Sequence, residues 1–259
     1  MIMSGNFEAA RAHRQAVTIL TGDVFGRTNI IAGGGMADGP HAYLVEQLPE
    51  VALPPHFHMN DQFQVVVAGS GMLGRSHKLA PLTVHFARGK TAYGPIVAGL
   101  KGLSYLTLRQ HLEYGAHYLS DPNTRVDRAA AKFHTTSDPV AAPDADELTA
   151  ATTSSQKVLI PPNADGLAVW SSRLPPSAAL AVPLHDPQAG RFHVVVGGTA
   201  IMGSETFPLW SCIWVSAGEQ PVSIKAGLGG AELLTLQFPR YNTINSQQRD
   251  QSAGADIPS

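Results

Sequence analysis

Short apolar runs, separated by glycine, proline and polar turn residues, recur along this chain. The runs are rich in Val, Ile, Leu and Thr, and stretches with the 3.6-residue periodicity of a long helix are scarce. Short runs bounded by turn residues are typical of β-strands, so the pattern predicts an all-β sandwich or barrel with few helices. The predicted strands cover residues 42–45, 63–67, 82–86, 103–109, 167–170, 179–182, 192–196, 211–215, 222–225 and 233–237.

Part of the chain is repeated. Residues 56–74 and 185–203 align without a gap, and each contains a Phe, a polar residue and three valines followed closely by glycine. A second matched pair, 99–108 and 227–236, lies at nearly the same offset. Self-similarity at a fixed offset predicts two copies of one structural unit. Residues 69–71 and 197–198 are predicted to form equivalent hairpin turns.

The segment between the two copies differs from both in composition. Residues 119–156 are rich in Ser, Thr, Asp, Ala and Pro, and residues 137–143 are the most typical of a linker. We therefore predict two domains. The first, at 1–145, carries the candidate functional residues described below, and the second, at 146–241, is a degenerate copy that lacks them. A short helix is predicted at 125–132, and the polar tail at 242–259 is predicted to be disordered.

Composition and charge narrow the functional classes. Apolar residues make up 44% and charged residues 15% of the 259 residues, as in a folded globular protein. The formal net charge of -2 gives no positive field for nucleic acid or an anionic membrane, and no apolar run is long enough to span a bilayer. Cys212 is the single cysteine, which excludes an intrachain disulfide and fits a reducing compartment. We expect a soluble, cytoplasmic protein without nucleic-acid or membrane partners.

Four polar residues near the start of the first copy share one parity along the chain: His56, His58, Gln62 and Gln64. Because alternate side chains of an extended strand lie on one face, the two imidazoles can bind one metal ion from the same side. A side-chain oxygen a few residues further on supplies part of the remaining ligand shell. Divalent iron, manganese, nickel, copper and zinc all accept such nitrogen and oxygen ligands. The alternative is a chance pair of histidines at a strand end.

The stretch from His56 to Gly69 resembles the first motif of the cupin superfamily, HxH(x)3-4E(x)6G, with Gln62 at the position of the Glu. The second family motif, PxGxxH, aligns poorly, with Arg88 at the Pro position and Tyr93 at the final His position. The resemblance covers roughly residues 40–110 and, through the second copy, 165–238. It implies two tandem jelly-roll β-barrels, a bicupin, with a metal ion inside the first barrel.

The resemblance also implies the ligands. His56, His58 and Gln62 would hold a divalent metal ion, with Fe(II) first and Mn, Ni, Cu or Zn as alternatives. Gln62 is neutral where the family usually has a carboxylate. We therefore expect the metal ion to be bound more weakly and to be a stronger Lewis acid. The ion should also prefer an anionic substrate or hydroxide as an added ligand.

Three further residues are candidates for the chemistry. Tyr93 is a phenolate ligand, a hydrogen-bond donor to the substrate or a packing residue, and His85 is the alternative third imidazole. Tyr93 and His85 are thus the candidate catalytic residues, and Gln64 is the candidate substrate contact. The alternative for each of the three is a buried polar group satisfied by a structural hydrogen bond.

The second copy lacks this set. Pro187 occupies the position of His58, and Arg191 that of Gln62. Because proline cannot bind a metal and arginine repels a cation, we predict a second barrel that is metal-free and structural. The alternative is an anion-binding pocket built from Arg191, His193 and His185.

The leading functional hypothesis is a metal-dependent cupin enzyme that acts on a small organic molecule, as a non-haem Fe(II) dioxygenase-type oxidoreductase. A metal-dependent isomerase or lyase is the second hypothesis, with Tyr93 or His85 moving a proton. The third is a non-catalytic small-molecule-binding (sensor) cupin, and a structural storage protein is a further alternative. We expect a homodimer, since barrel edges and apolar faces are commonly paired.

Overall fold

The computed structural model describes residues 1–36, 38–113, 115–181, 186–220 and 222–240. Strands make up 49% and helices 6% of the described residues, which confirms the all-β prediction. The helical elements are α1 (Phe7–Arg11), α2 (Ala145–Ala150) and one 3-10 turn at Gly33–Gly35. No helix in these described ranges has the length and apolar character needed to cross a membrane.

The strands form two large antiparallel sheets and one small one. In chain order they are β1 (Ile2–Gly5), β2 (Gln15–Thr18), β3 (Val24–Ala32), β4 (His41–Gln47), β5 (Ala52–Leu53), β6 (His56–Phe57), β7 (Gln62–Leu73), β8 (His77–Leu79), β9 (Val84–Ala87), β10 (Ile96–Arg109), β11 (His117–Tyr118), β12 (His134–Thr136), β13 (Ser155–Ile160), β14 (Ala168–Leu174), β15 (Arg191–Met202), β16 (Glu205–Phe207), β17 (Cys212–Val215) and β18 (Ile224–Gln237).

Each large sheet contains one copy of the repeated sequence. The first has the order β12-β9-β7-β10-β4-β3-β2, with β8 paired to β7 and β5 paired to β10. The second has the order β1-β17-β15-β18-β14-β13, with β16 paired to β15. Strands β6 and β11 form a separate two-stranded sheet. The equivalent strands β7 and β15 pair with the equivalent strands β10 and β18.

The glycines inside β7 and β15 do not form hairpin turns, so that prediction is wrong. Both strands continue through them as bulges, and the chain reverses further on, at residues 74–76 and 203–204. Gly69 and Gly198 have φ values of 75° and 61°. A Cβ at either position would lie 2.1 Å from the carbonyl oxygen of Gly102 or Gly230 on the neighbouring strand. Only glycine therefore fits these equivalent positions.

The two large sheets pack against each other through a shared apolar core. This core contains side chains of both halves, and Phe63 of β7 contacts Phe238 with a ring-centroid distance of 4.7 Å. Trp214 of β17 is buried in the same cluster. A second cluster, which includes Tyr93 and Tyr105, lies in the first barrel, and a third lies in the second barrel. The polar site described below occupies the face of the first sheet that is turned away from the shared core.

Some connections differ from the sequence-based expectations. Strand β1 pairs with β17, so the N-terminus of the chain belongs to the sheet of the second half. The helix predicted at 125–132 is not formed, and the helix of this segment is α2, which contacts β15 and β18. Of the strand predicted at 179–182, Ala179 makes one isolated bridge to Lys225, and residue 182 lies outside the described residues. The domain division near residue 145 stays a prediction, and the predicted tail at 242–259 lies outside the described residues.

Candidate functional site

Antiparallel pairing brings polar side chains of several strands together on the inner face of the first sheet. Side chains directly opposite each other on neighbouring strands lie on the same face of a sheet. One row crosses five strands and consists of His85, Gln64, Thr107, Tyr43 and Asn29. The next row consists of Gln62, Arg109 and His41. Residues far apart in sequence thus meet in one polar cluster.

Arg109 is the most deeply buried charge of this cluster, with a side chain only 1% exposed. Its Nε and Nη2 donate to Gln62 Oε1 over 3.1 and 2.8 Å. Because a guanidinium can only donate, Gln62 must present its oxygen to Arg109 and its amide nitrogen to Tyr93. The Tyr93 hydroxyl then donates to His56 Nε2 at 3.0 Å, and His56 Nδ1 donates to Pro54 O at 2.7 Å. The result is a continuous chain of hydrogen bonds from Arg109 to Pro54.

His58 lies beside His56, with the ring centroids 5.2 Å apart. Its Nδ1 is 3.4 Å from Glu113 Oε1. The Glu113 carboxylate is held in turn by the backbone amides of Met59 and Asn60, at 2.8 and 3.0 Å. The Nδ1 atom of each imidazole therefore faces an oxygen acceptor, as a hydrogen bond in His56 and as an ion-pair contact without a hydrogen bond in His58. Nε2 of His58 is left available for a ligand, whereas Nε2 of His56 accepts the hydrogen bond of Tyr93.

Burial sets the protonation states. Burial, together with the charge of Arg109, lowers the pKa of His56 to about 4 and that of His58 to about 3. Both rings are therefore neutral at pH 7. Burial alone would raise the pKa of Glu113, but its bond with His58, the charge of Arg109 and the Met59 amide lower it to about 2. Burial raises the pKa of the Tyr93 hydroxyl well above its ordinary value, so that it keeps its proton.

The imidazole pair opens into a cleft of about 110 Å³. Its polar lining includes His56, His58, Gln64, Arg27 and Arg109. Its apolar lining includes Val17, Ile19, Phe25, Val45 and Leu53. Apolar walls with a few converging polar groups are typical of a small-molecule site.

Of the residues predicted from sequence, His56, His58, Gln62 and Tyr93 lie together, and Gln64 lines the same cleft. His85 lies on the other side of Tyr93, with a ring-centroid distance of 4.9 Å, and lines a separate small cavity with Gln64. Its Nδ1 is 2.9 Å from Gln64 Oε1, whereas its buried Nε2 has no hydrogen-bond partner among the described residues. Burial lowers its pKa to about 3, so this ring is also neutral.

Comparison with solved structures identifies the fold. The bacterial pirin from Escherichia coli, in complex with nickel(II), superposes with a TM-score of 0.59 and 9% identity, over 93% of this chain and 100% of that one. Oxalate decarboxylase from Bacillus subtilis superposes with a TM-score of 0.59 and 11% identity, over 100% of this chain and 83% of that one. Salicylate 1,2-dioxygenase from Pseudaminobacter salicylatoxidans superposes with a TM-score of 0.55 and 14% identity, over 92% of this chain and 83% of that one.

The chain has the bicupin fold. The two jelly-roll barrels expected from the sequence are therefore confirmed. Identities this low establish the fold alone. No protein-family model matches the sequence, and no curated protein matches it significantly.

The donor atoms in the first cupin barrel fit a metal ion in part. No group of three His, Cys, Asp or Glu side chains in the described ranges is arranged to hold one. The neutral pair His56 and His58 does fit, because oxygen acceptors at Nδ1 are the usual support of metal-binding imidazoles. The oxygen of Gln62 is engaged by Arg109. A further oxygen beside the pair is Tyr93 Oη, which is hydrogen-bonded to His56 Nε2 at 3.0 Å.

In the second cupin barrel an arginine again lies opposite a glutamine, with the strands exchanged. The two are not hydrogen-bonded there, because Gln237 Oε1 accepts from the Asp186 amide and Arg191 Nε has no hydrogen-bond partner among the described residues. Arg109 on β10 lies opposite Gln62 on β7, whereas Arg191 on β15 lies opposite Gln237 on β18. Arg191 is buried, and His193 Nδ1 lies 3.0 Å from Thr235 Oγ1. An imidazole pair like that of the first barrel cannot form here, because the counterpart of His58 is proline. His185 and Pro221, the counterparts of His56 and Tyr93, lie outside the described residues.

Sequence reasoning missed four residues of the first barrel site: Arg27, Tyr43, Arg109 and Glu113. Arg109 shares the parity of Tyr105 and Thr107 at the end of an apolar run, and that parity was the available signal. Glu113 lies in a loop, so no strand pattern reports its position. Arg27 and Tyr43 precede the repeated segment and have no motif of their own.

Proposed function

We propose that the first barrel is the active site of a metal-dependent enzyme that acts on a small organic molecule. A divalent ion, Fe(II) first, would be held by His56 and His58. The observation that carries this proposal is the pair of buried, neutral imidazoles, each with Nδ1 facing an oxygen acceptor. Nε2 of His58 is available, and Nε2 of His56 would exchange its hydrogen bond with Tyr93 for the ion. The nickel(II) complex of a pirin with the same fold, and two enzymes with that fold, support it.

The surrounding residues have defined roles in this proposal. Tyr93 Oη is the third protein donor, Gln62 positions it through its amide nitrogen, and Arg109 positions Gln62. A bound divalent ion supplies Lewis-acid or oxygen-activating chemistry. Because histidine, tyrosine and glutamine are all neutral here, the ligand set leaves the positive charge of the ion unbalanced. Gln64 contacts the substrate, and the apolar walls exclude water from it.

Metal content tests the proposal. We expect close to one equivalent of a divalent transition metal in the wild-type protein after reconstitution, and a loss of most of it in His58→Gln. Glutamine retains much of the volume of histidine but has no imidazole nitrogen. The matched control is His77→Gln, which changes an exposed histidine outside the cleft. Elemental analysis measures the content and identifies the metal, and circular dichroism verifies that each variant is folded.

Two outcomes oppose the proposal. One is equal metal content in His58→Gln and wild type, which would put the ion elsewhere. The other is a wild-type protein that retains no metal after incubation with Fe(II), Mn(II), Ni(II), Cu(II) and Zn(II) in turn. Iron in the site, together with oxygen uptake on turnover, would favour the oxygenase over an isomerase or lyase.

A non-catalytic small-molecule-binding cupin is the second candidate. The observation that favours it is the hydrogen-bond chain from Arg109 through Gln62, Tyr93 and His56 to Pro54. In this chain every donor meets an acceptor, so the cluster needs no ion to satisfy it. A folded wild-type protein that binds small molecules but no metal would favour this candidate.

A further inference from the structure

Two arginines lie against one aromatic ring in the cleft. The guanidinium carbon of Arg27 is 4.0 Å from the centroid of Tyr43, and that of Arg109 is 5.6 Å from it. Arg27 is on β3, Tyr43 on β4 and Arg109 on β10, which are neighbouring strands of the first sheet. All three side chains line the cleft beside the imidazole pair. The ring holds both cations at the cleft wall through cation–π contacts.

Arg27 has no carboxylate partner among the described residues. Its Nε donates to Asn29 Oδ1 at 3.1 Å, and its Nη2 lies 3.0 Å from His41 Nε2. A guanidinium cannot accept, so His41 Nε2 is an unprotonated acceptor here. Burial, together with the charges of Arg27 and Arg109, lowers the pKa of His41 to about 3, in agreement with a neutral ring. The charge of Arg27 is therefore held in position but not neutralised by this ring.

Arg109 has no carboxylate within salt-bridge distance in the described ranges either. It donates to Gln62 Oε1 and, from Nη1, to the backbone oxygen of Glu113 at 3.2 Å. The Glu113 carboxylate itself points to His58 and to the amides of Met59 and Asn60. The described residues that line the cleft include these two arginines and no acidic side chain. The cleft therefore has an excess of positive charge next to apolar walls.

We infer that the ligand of this cleft is a small organic monoanion, a carboxylate with an apolar body, whose carboxylate is bound by Arg27 within the field of Arg109. A guanidinium matches the planar geometry of a carboxylate and binds it with two hydrogen bonds. The apolar body packs on Phe25, Val45 and Leu53, which lie in the same lining. This inference deepens the proposed function, because it names the substrate class for the same cleft.

Benzoate and its neutral isostere benzamide test the inference. We expect calorimetry to show benzoate binding to the wild-type protein at least tenfold more tightly than benzamide. In Arg27→Gln, benzoate affinity should fall at least tenfold, whereas benzamide affinity should not change. Arg27→Lys, which retains the charge but not the planar fork, should be intermediate. Arg75→Gln, in the exposed turn between β7 and β8, is the matched control and should bind as wild type does.

Equal affinity for benzoate and benzamide, or benzoate binding that is unchanged in Arg27→Gln, would overturn the inference. These outcomes are separable from a failure of the metal proposal. Arg27 is not among the proposed metal donors, so metal content should be the same in Arg27→Gln and wild type. If a wild-type protein that binds no metal still bound benzoate through Arg27, the anion site would be supported and the proposed metalloenzyme would be contradicted.

Discussion

At the scale of residues, Arg109 organises the site. Burying an unpaired charge is costly, and a buried arginine is tolerated where acceptors satisfy its donors. Gln62 Oε1 and Glu113 O provide those acceptors. The consequence is that Gln62, at the position where the cupin motif has its carboxylate, supports a cation. The same side chain directs its amide nitrogen to Tyr93, which links the arginine to the imidazole pair.

The buried histidines make stability depend on pH. Burial lowers the pKa of His41, His58 and His85 to about 3 and that of His56 to about 4, from 6.5 in the unfolded chain. Between pH 6.5 and these folded values the unfolded chain binds more protons than the native protein. Stability therefore falls as the pH falls through this range. We expect each such histidine to lower the free energy of unfolding of the metal-free protein by about 1.4 kcal/mol per pH unit below 6.5.

Urea unfolding at pH 7, 6 and 5 measures this slope. His85→Leu removes one buried imidazole and should reduce the slope by the contribution of one histidine, about 1.4 kcal/mol per pH unit. His13→Leu, which changes an exposed histidine, should leave the slope as in wild type. A stability that is flat from pH 7 to 5, or an unchanged slope in His85→Leu, would contradict these protonation states.

The site was predictable from sequence only where the pattern is local. His56, His58, Gln62 and Gln64 share one parity within a few residues, so periodicity alone groups them. The partner of Gln62 is Arg109, which is far away in sequence and becomes its neighbour through the register of β7 with β10. That register, and the direction of the Gln62 amide, depend on tertiary pairing that no single segment encodes.

At the scale of elements, the repeated strands were predicted because apolar alternation and glycine punctuation are local signals. The pairing of β1 was not predicted, because its partner β17 lies in the other half of the sequence. Strand β1 also touches the first sheet. A Cβ on Gly5 would lie 2.2 Å from the backbone oxygen of Ile30 in β3. One short strand thus packs between elements of the two halves.

Gly5→Ala tests this contact. The added methyl group has no room against Ile30, so we expect the free energy of unfolding to fall by about 1–3 kcal/mol. Ser4→Ala, at the exposed neighbouring position, is the matched control and should change it by less than about 0.5 kcal/mol. Urea denaturation measures both. Equal stability of the two variants would show that β1 does not pack closely on β3.

At the scale of the whole molecule, two barrels share one apolar core but differ in their polar faces. Phe63, Phe192 and Phe238 belong to the shared core, whereas the imidazole pair occurs in the first barrel. The second barrel contains Arg191 and Pro187 at the corresponding positions. We therefore propose that the second barrel supports the first through packing and that the chemistry is confined to the first barrel. The predicted homodimer stays a prediction, which sedimentation would test against the 27.4 kDa chain.

The most direct test of a single metal site is an anomalous scattering map from crystals of the reconstituted protein. Data collected at the absorption edge of the bound metal locate it without reference to the fold. We predict one peak per chain, within ligand distance of Nε2 of both His56 and His58, and none beside Arg191 and His193 in the second barrel. A peak in the second barrel, or no peak at the imidazole pair in fully reconstituted crystals, would contradict a metal centre built on the first repeat.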